Sequence, residues 1–457
     1  MIKFPENITK FMQVFTKNKY QIYLVGGAVR NLILNRSTNN WDFTTNAKPE
    51  EILKMFPKGI YNNKYGTVMI PTDTTNVETG LKPVSTKKML LFEITPFRLE
   101  SDYLDNRHPE KIEWAKTLEE DLARRDFTIN AIAFDGEKIV DPYCGQEDLK
   151  NKLIKAVGEP HKRFNEDALR LMRGIRLASQ LGFLIEEKTR LAISENSGLI
   201  KNVSWERIRD ELLKIIASDH PDDGILFLHN TGLLQHILPE LEICFTVPQK
   251  SPKRHHIYDV GTHSVMALKH CPSKDPITRL ATLLHDIGKA KTFKKDPQTN
   301  IITFYNHEVV GTWMVEKITD RLRLSNKEKE KLVCLVKYHQ FTVSEIQTDK
   351  AVRRFIREVG KEYLQNILDL RTGDRIGSGA TPTSWRYELF KKRLVEVQKE
   401  PFKVTDLKID GNEIMKELKI KPGPIIGQKL NELFNLVVER KLNNEKSALI
   451  SQLKKTT

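Results

Sequence analysis

Apolar residues recur along the first part of this chain at two different spacings. Ile8, Phe11, Met12 and Phe15 fall at helical intervals and predict an amphipathic helix within residues 1–20 that packs on a sheet. Tyr23, Leu24 and Val25 form a short apolar run that ends in Gly26-Gly27, so a strand meets a turn there, and residues 28–34 read as the helix after it. Trp41-Asp42-Phe43 alternates apolar, acid, apolar, which at period two points Asp42 to one face of a strand and its neighbours to the other. Pro49-Glu50-Glu51 opens a further helix carrying Ile52, Leu53, Met55 and Phe56, with proline and acids in the first turn. Residues 65–70 predict the next strand and residues 89–97 its hairpin partner. The polar, aperiodic stretch 71–88 forms the loop between them. Glu93 alternates with apolar neighbours in that partner strand, a pattern that fits a solvent face as well as the face of Asp42.

From about residue 145 the spacing becomes helical. Ala168, Leu171, Met172, Ile175 and Ala178 make one apolar stripe, and Asp167 and Arg170, three apart, are expected together on a helix face away from it. Ser204 reads as the N-cap of the next helix, which extends through Leu212 and takes a structural role. The pattern predicts an α+β chain: a small mixed α/β head over residues 1–142, a helical neck over 143–220, a helical body over 221–400 and a helical tail over 401–457.

Charge narrows the partner. Over 457 residues, 74 Lys and Arg against 60 Asp and Glu leave +14, spread along the chain, which favours a polyanion and first of all nucleic acid. Cys144, Cys244, Cys271 and Cys334 lie far apart with no CxxC spacing and read as reduced thiols. The first fifteen residues carry no signal-peptide apolar core, and no run of about 18 apolar residues exists, so a cytoplasmic protein with no membrane span is expected.

Two groups of residues carry chemistry. Gly26 and Gly27 let a backbone come close to a phosphate, and a carboxylate aimed there implies a divalent metal shared with a nucleotide. Arg124 and Arg125 precede Asp126, and an arginine fork suits a triphosphate. Further on, His263, His285-Asp286, His307, His339 and Asp374 supply imidazoles and carboxylates from several predicted helices, which is how a hydrolytic metal site is built. Lys289, in the same HDIGK run, is placed to contact phosphate.

Residues 23–45, YLVGGAVRNLILNRSTNNWDFTT, resemble the signature of the nucleotidyltransferase superfamily, in the branch of bacterial class II tRNA nucleotidyltransferases (CCA-adding enzymes) and poly(A) polymerases. The run Glu93 to Arg98 resembles that branch's third-carboxylate strand. RRDFTIN at 124–130 resembles its nucleotide-lining motif, and EDALR at 166–170 the motif by which its members read the base. Residues 401–446 resemble its tail, where Gly423-Pro424 precedes a helix and Lys429, Arg440 and Lys441 suit a phosphate backbone. The resemblance implies CMP and AMP addition to tRNA 3′ ends from CTP and ATP. Asp42, Glu93 and Asn40 would hold Mg2+ and carry catalysis. Gly26, Gly27, Arg30, Arg125, Asp126 and Asn130 would bind nucleotide, and Asp167, Arg170, Arg173 and Arg176 would meet its base end.

Two positions depart from the branch. Asn40 stands where it carries the first metal-binding Asp, and Asn31 where it carries Asp after the glycine turn. Asn40 reads as a deliberate substitution, as natural slowing, or as a shifted metal site; Asn31 favours natural variation. The body resembles an HD domain, which implies a second centre for Mg2+ or a transition metal on His263, His285, Asp286 and Asp374, with His307 and His339 as second-metal or phosphate ligands. Two other readings follow from these features: a phosphohydrolase with a vestigial head, and a tRNA-binding protein without chemistry. The product stays open among CCA, CC, A and a poly(A) tail, and the chain among monomer and homodimer.

Overall fold

The computed structural model describes residues 5–38, 40–62, 66–72, 90–103, 109–249, 258–398, 404–438 and 441–455. They pack as two compact units, Met1–Glu242 with Asp320–Arg323, and Ile243–Thr319 with Leu324–Thr457.

The first unit begins with helix α1 (Glu6–Lys17), which buries the four apolar residues of its predicted face. There follow β1 (Ile22–Val25), α2 (Gly27–Ile33), β2 (Trp41–Thr45), α3 (Pro49–Met55), β3 (Ile60–Asn62), β4 (Thr67–Thr72) and β5 (Leu90–Pro96). A separate hairpin, β6 (Arg98–Tyr103) and β7 (Pro109–Trp114), then α4 (Leu118–Ala123), β8 (Ala133–Phe134) and β9 (Ile139–Val140) complete the head. Seven strands form one sheet in the order β3-β4-β5-β2-β1-β8-β9, in which only β2 and β5 run parallel. The hairpin of β4 and β5 is as expected, while most of the 71–88 loop lies outside the described residues.

The two faces of β2 and β5 differ in the way the alternation requires. Phe43 and Phe92 turn to one face, where Phe11 of α1 meets them at ring-centroid distances of 5.0 and 4.7 Å. That burial is the adhesive of the head, since each buried aromatic contributes a few kcal/mol. Asp42 and Glu93 turn to the other.

The neck is not wholly helical, contrary to expectation. Leu153–Ile154 pairs in parallel with Leu184–Ile185. Two residues are too few to show a period of two, and the second strand starts just after Gly182 (φ +69°) ends its helix. In the second unit a short hairpin, Lys294–Lys295 with Ile302–Thr303, likewise interrupts the helices. The tail helices Gly411–Leu418, Pro424–Val438 and Lys446–Lys455 close over their own core, which includes Ile414, Leu433, Leu449 and Leu453. Arg440 lies outside the described residues, and Lys429 pairs with Glu432 at 3.0 Å. Among the described residues no helix is long and apolar enough to cross a membrane.

Candidate active site

Asp42 and Glu93 are partners in register on the parallel pair β2 and β5, so their carboxylates leave the same face side by side. Burial raises the Asp42 pKa to about 6, helped by the Glu93 charge and opposed by Arg125. Two acids that repel each other on a partly dried face are a fitting donor set for a divalent cation. Asn40 sits beside them and donates its Nδ2 to Asp42 Oδ1 at 3.1 Å. Rotating that amide presents its oxygen instead, a neutral and weaker ligand for a hard cation.

A proton and a cation held by this pair would compete for Asp42. The apparent affinity of the head for a divalent cation is therefore expected to fall about tenfold per pH unit below pH ~6 and to level off above it. A titration of divalent-cation binding between pH 5 and 8 reads this directly, and a flat profile would mean that Asp42 holds no cation.

The glycine turn lies next to this pair. Gly26 has φ +68°, open to glycine at little cost, and the place of its missing Cβ is 3.4 Å from Arg125 Nη1. Arg125 is aimed by Asp121, which also takes two bonds from Arg124. Burial works against the Asp121 charge, but Arg124 and Arg125 outweigh it and hold the carboxyl below its usual range. Arg30 Nη1 donates to Asn130 Oδ1 at 2.6 Å, Asn130 Nδ2 to Asp126 Oδ1 at 3.3 Å, and Asp126 Oδ2 meets Arg173 at 2.8 Å. Residues far apart in sequence thus form one bonded chain. Burial and nearby Arg176 lower Arg30 to about 10, so it stays charged at neutral pH. Arg176 itself pairs with Glu211 at 2.8 Å.

One expected pair is absent. Asp167 and Arg170 do not share a helix face: the helix Pro160–Glu166 stops, Asp167 is extended (φ −142°, ψ 104°), and a new helix begins at Arg170. The Asp167 carboxylate accepts the Leu169 N–H at 3.1 Å, a local bond that competes with helix and breaks it. Arg170 is buried and pairs with Glu166 at 2.6 Å, while Asp167 pairs with Arg207. The apolar stripe itself is buried as expected. Arg207 and Asp121 are not among the site residues expected from sequence: Arg207 lies forty residues from Asp167, which leaves no periodic signal, whereas Asp121 has its partners three and four residues on, at ordinary helical spacing. Ser204 occupies its N-cap position without a side-chain capping bond.

A second cluster lies in the other unit. His263 sits on the helix Val260–Lys269, and His285 and Asp286 end the helix Pro276–Leu284. His307 starts the helix His307–Arg321, His339 ends Asn326–Tyr338, and Asp374 lies on Leu364–Gly377. All four histidines and Asp286 are buried. Asp286 divides its oxygens: Oδ2 lies 3.4 and 3.2 Å from His263 and His285, and Oδ1 lies 3.2 and 3.7 Å from His307 and His339. Asp374 Oδ1 is 3.3 Å from His263. Lys289 Nζ bonds Asp286 Oδ2 at 2.6 Å and Gln249 at 2.7 Å. Burial alone would raise the Asp286 carboxyl, but His285 and Lys289 hold it well below its usual range. Gly288 allows the approach, because a Cβ there would collide with the His307 carbonyl.

The head therefore has the fold and acidic strand pair of a nucleotidyltransferase. The poly(A) polymerase head domain family matches residues 22–155, a probable RNA- and SrmB-binding site of polymerase A matches 182–244, and a putative tRNA nucleotidyltransferase domain 2 matches 301–453. The chain is 30% identical over 458 residues to the CCA-adding enzyme of Ligilactobacillus salivarius, covering 99% of this chain and 97% of that protein. It is 36% identical over 330 residues to an A-adding tRNA nucleotidyltransferase of Deinococcus radiodurans, covering 69% of this chain and 74% of that one. In fold it is similar to the Bacillus stearothermophilus CCA-adding enzyme solved with CTP, with TM-score 0.71 and 24% identity over 99% and 98% of the two chains. This chain belongs to the CCA-adding enzyme family of tRNA nucleotidyltransferases, which implies dependence on a divalent metal.

Proposed function

We propose that this protein adds CMP and AMP to tRNA 3′ ends from CTP and ATP, releasing pyrophosphate. The observation that carries the reading is the registered pair Asp42 and Glu93 beside the Gly26 turn and Arg125. Gly26 and Gly27 leave room for the triphosphate, and Arg125 and Arg30 bring the charges that hold it. The RNA 3′-hydroxyl attacks the α-phosphorus in line, and pyrophosphate leaves on the opposite side. Asp42 and Glu93 would hold Mg2+, with the Asn40 amide oxygen as a weaker third ligand; when bound, the ion favours ionisation of the hydroxyl and offsets charge on the phosphates. Asp167 accepts from the exocyclic amine that cytosine and adenine share, and an arginine donates to the ring nitrogen beside it. Uracil and guanine present the opposite pattern at that edge.

The test is incubation with tRNA transcripts ending before CCA, before CA and before A, each with CTP, ATP or both, resolved on a sequencing gel. Stepwise C, C and A addition is expected. Addition of A alone, of C alone, or of an A tail would assign one of the narrower activities, and no addition to any transcript would reject the reading.

A second reading concerns the body. We infer that the histidine cluster is an HD-type centre for divalent cations whose chemistry is phosphoester hydrolysis. His307 and His339 each donate Nδ1–H to a backbone carbonyl, of Phe304 at 2.8 Å and Val336 at 2.7 Å. In the neutral rings both Nε2 atoms are then lone pairs, and they face each other at 3.3 Å. A cation beside Asp286 Oδ1 would relieve that opposition. Mn2+ or Zn2+ at about a hundred times its Kd is expected to add about 2.7 kcal/mol, a rise of roughly 5 °C in the melting point. EDTA would reverse it, and Asp286→Ala would abolish the response. No metal-dependent shift in the parent chain would reject the centre. Hydrolytic activity is separately read as metal-dependent phosphate release that survives Asp42→Ala and not Asp286→Ala.

A further inference from the structure

Asp167 is gripped by a residue outside its own motif. Arg207, on the helix Trp205–Ile216, brings Nη2 to both carboxylate oxygens, at 3.2 and 2.9 Å. Oδ1 also accepts the Leu169 N–H at 3.1 Å. Arg170, the sequence neighbour, is engaged elsewhere: Nη1 bonds Glu166 at 2.6 Å and the Arg163 carbonyl at 3.1 Å, and Nη2 bonds the Arg124 carbonyl at 3.2 Å. Asp167 stands in extended backbone between two helices, so its carboxylate is aimed by these side-chain and local bonds rather than by a helical ladder.

One feature separates this pair from an ordinary ion pair. A carboxylate offers about four acceptor directions, and three are used here, which leaves one on Oδ2. Arg207 Nη1 is buried and has no hydrogen-bond partner among the described residues. A buried bare donor costs desolvation energy, and the same is true of Arg173, Arg176 and Arg321 in their ion pairs, so the acceptor left on Asp167 is the feature that bears on function. The acceptor direction left on Asp167 Oδ2 matches an exocyclic amine.

We propose that Arg207 is a positioning residue for nucleotide selection: it sets the Asp167 carboxylate so that its free acceptor meets the amine of cytosine or adenine. The proposal rests on the reading above that Asp167 recognises the base. A loose carboxylate would still bind triphosphate through the head but would distinguish bases less sharply.

The experiment measures kcat and KM for CTP, ATP, UTP and GTP on a tRNA transcript lacking CCA, in the full chain and in Arg207→Gln, Arg207→Lys and Asp167→Asn, with melting points alongside. Arg207→Gln is expected to raise KM for CTP and ATP and to cut the CTP-over-UTP preference at least tenfold. Arg207→Lys keeps the charge but not the planar fork, and it is expected to fold and to recover part of the preference. An even fall in kcat for all four nucleotides, with a lowered melting point and the preference intact in both Arg207 variants, would overturn the proposal in favour of a structural bridge. If Asp167→Asn leaves the preference unchanged, the base-reading assignment itself fails. If Asp167→Asn abolishes it while Arg207→Gln and Arg207→Lys retain it, only the role of Arg207 fails.

Discussion

Asn40→Asp is expected to raise the rate of CMP addition by about two orders of magnitude. The position adjoins the Asp42 carboxylate, to which its amide donates at 3.1 Å. Replacing a neutral amide oxygen by a charged one strengthens a hard-cation ligand and removes a competing donor. Several kcal/mol of transition-state charge stabilisation are at stake in such a site, and two decades correspond to about 2.7 kcal/mol. Without metal the same change adds a third negative group to a crowded face, so the metal-free protein should melt lower and respond more strongly to Mg2+. Single-turnover rates for the two proteins at saturating CTP settle the point. Equal rates would mean that the cation is held by other residues.

Asp42→Asn should have the opposite effect on activity and an unusual one on stability. Loss of the carboxylate is expected to cut addition by at least three orders of magnitude, while tRNA binding, expected to rest on phosphate and shape contacts, should stay within a few-fold. Stability should move the other way. The folded pKa of about 6 lies above the usual 3.8 because burial and Glu93 disfavour the charge. The native state therefore binds this proton more tightly, and ionised Asp42 costs folding energy above pH ~6. That cost fades as pH falls from about 6 to about 4. Two units correspond to about 3 kcal/mol at most, and solvent screening leaves about 1–2. Metal-free Asp42→Asn should thus be more stable than the parent at pH 8 and equal to it near pH 4. A variant that is inactive and also less stable at pH 8 would place Asp42 in a structural role.

Much of the head was legible because its residues obey a short period. Ile8, Phe11, Met12 and Phe15 pack as their spacing says, and Asp42 and Glu93 alternate against phenylalanines that need a dry face. Spacing cannot report where a helix yields to a local bond. Asp167 falls within a run whose apolar stripe is sound, yet its carboxylate takes the Leu169 N–H and the helix breaks there. The two-residue strands of the neck escaped for a related reason, since a period needs more than one repeat to appear.

The histidine cluster divides the same way. Its residue types and their place on successive helices could be read along the chain, because imidazole and carboxylate ligands are chemically distinctive. That Asp286 turns one oxygen to His263 and His285 and the other to His307 and His339 depends on helix ends converging where Gly288 admits the His307 backbone.

The chain alone determined which groups are available: the strand acids, the bare turn, the paired arginines and the successive imidazoles, together with the faces on which periodicity puts them. Only the tertiary structure decided which of those groups meet. Asp167 went to Arg207 rather than Arg170, and Arg30 was tied to Asp126 through Asn130. The reason is that local spacing governs direction along one element, whereas charge pairing in a buried site is settled by the nearest guanidinium in space, whatever its distance along the chain.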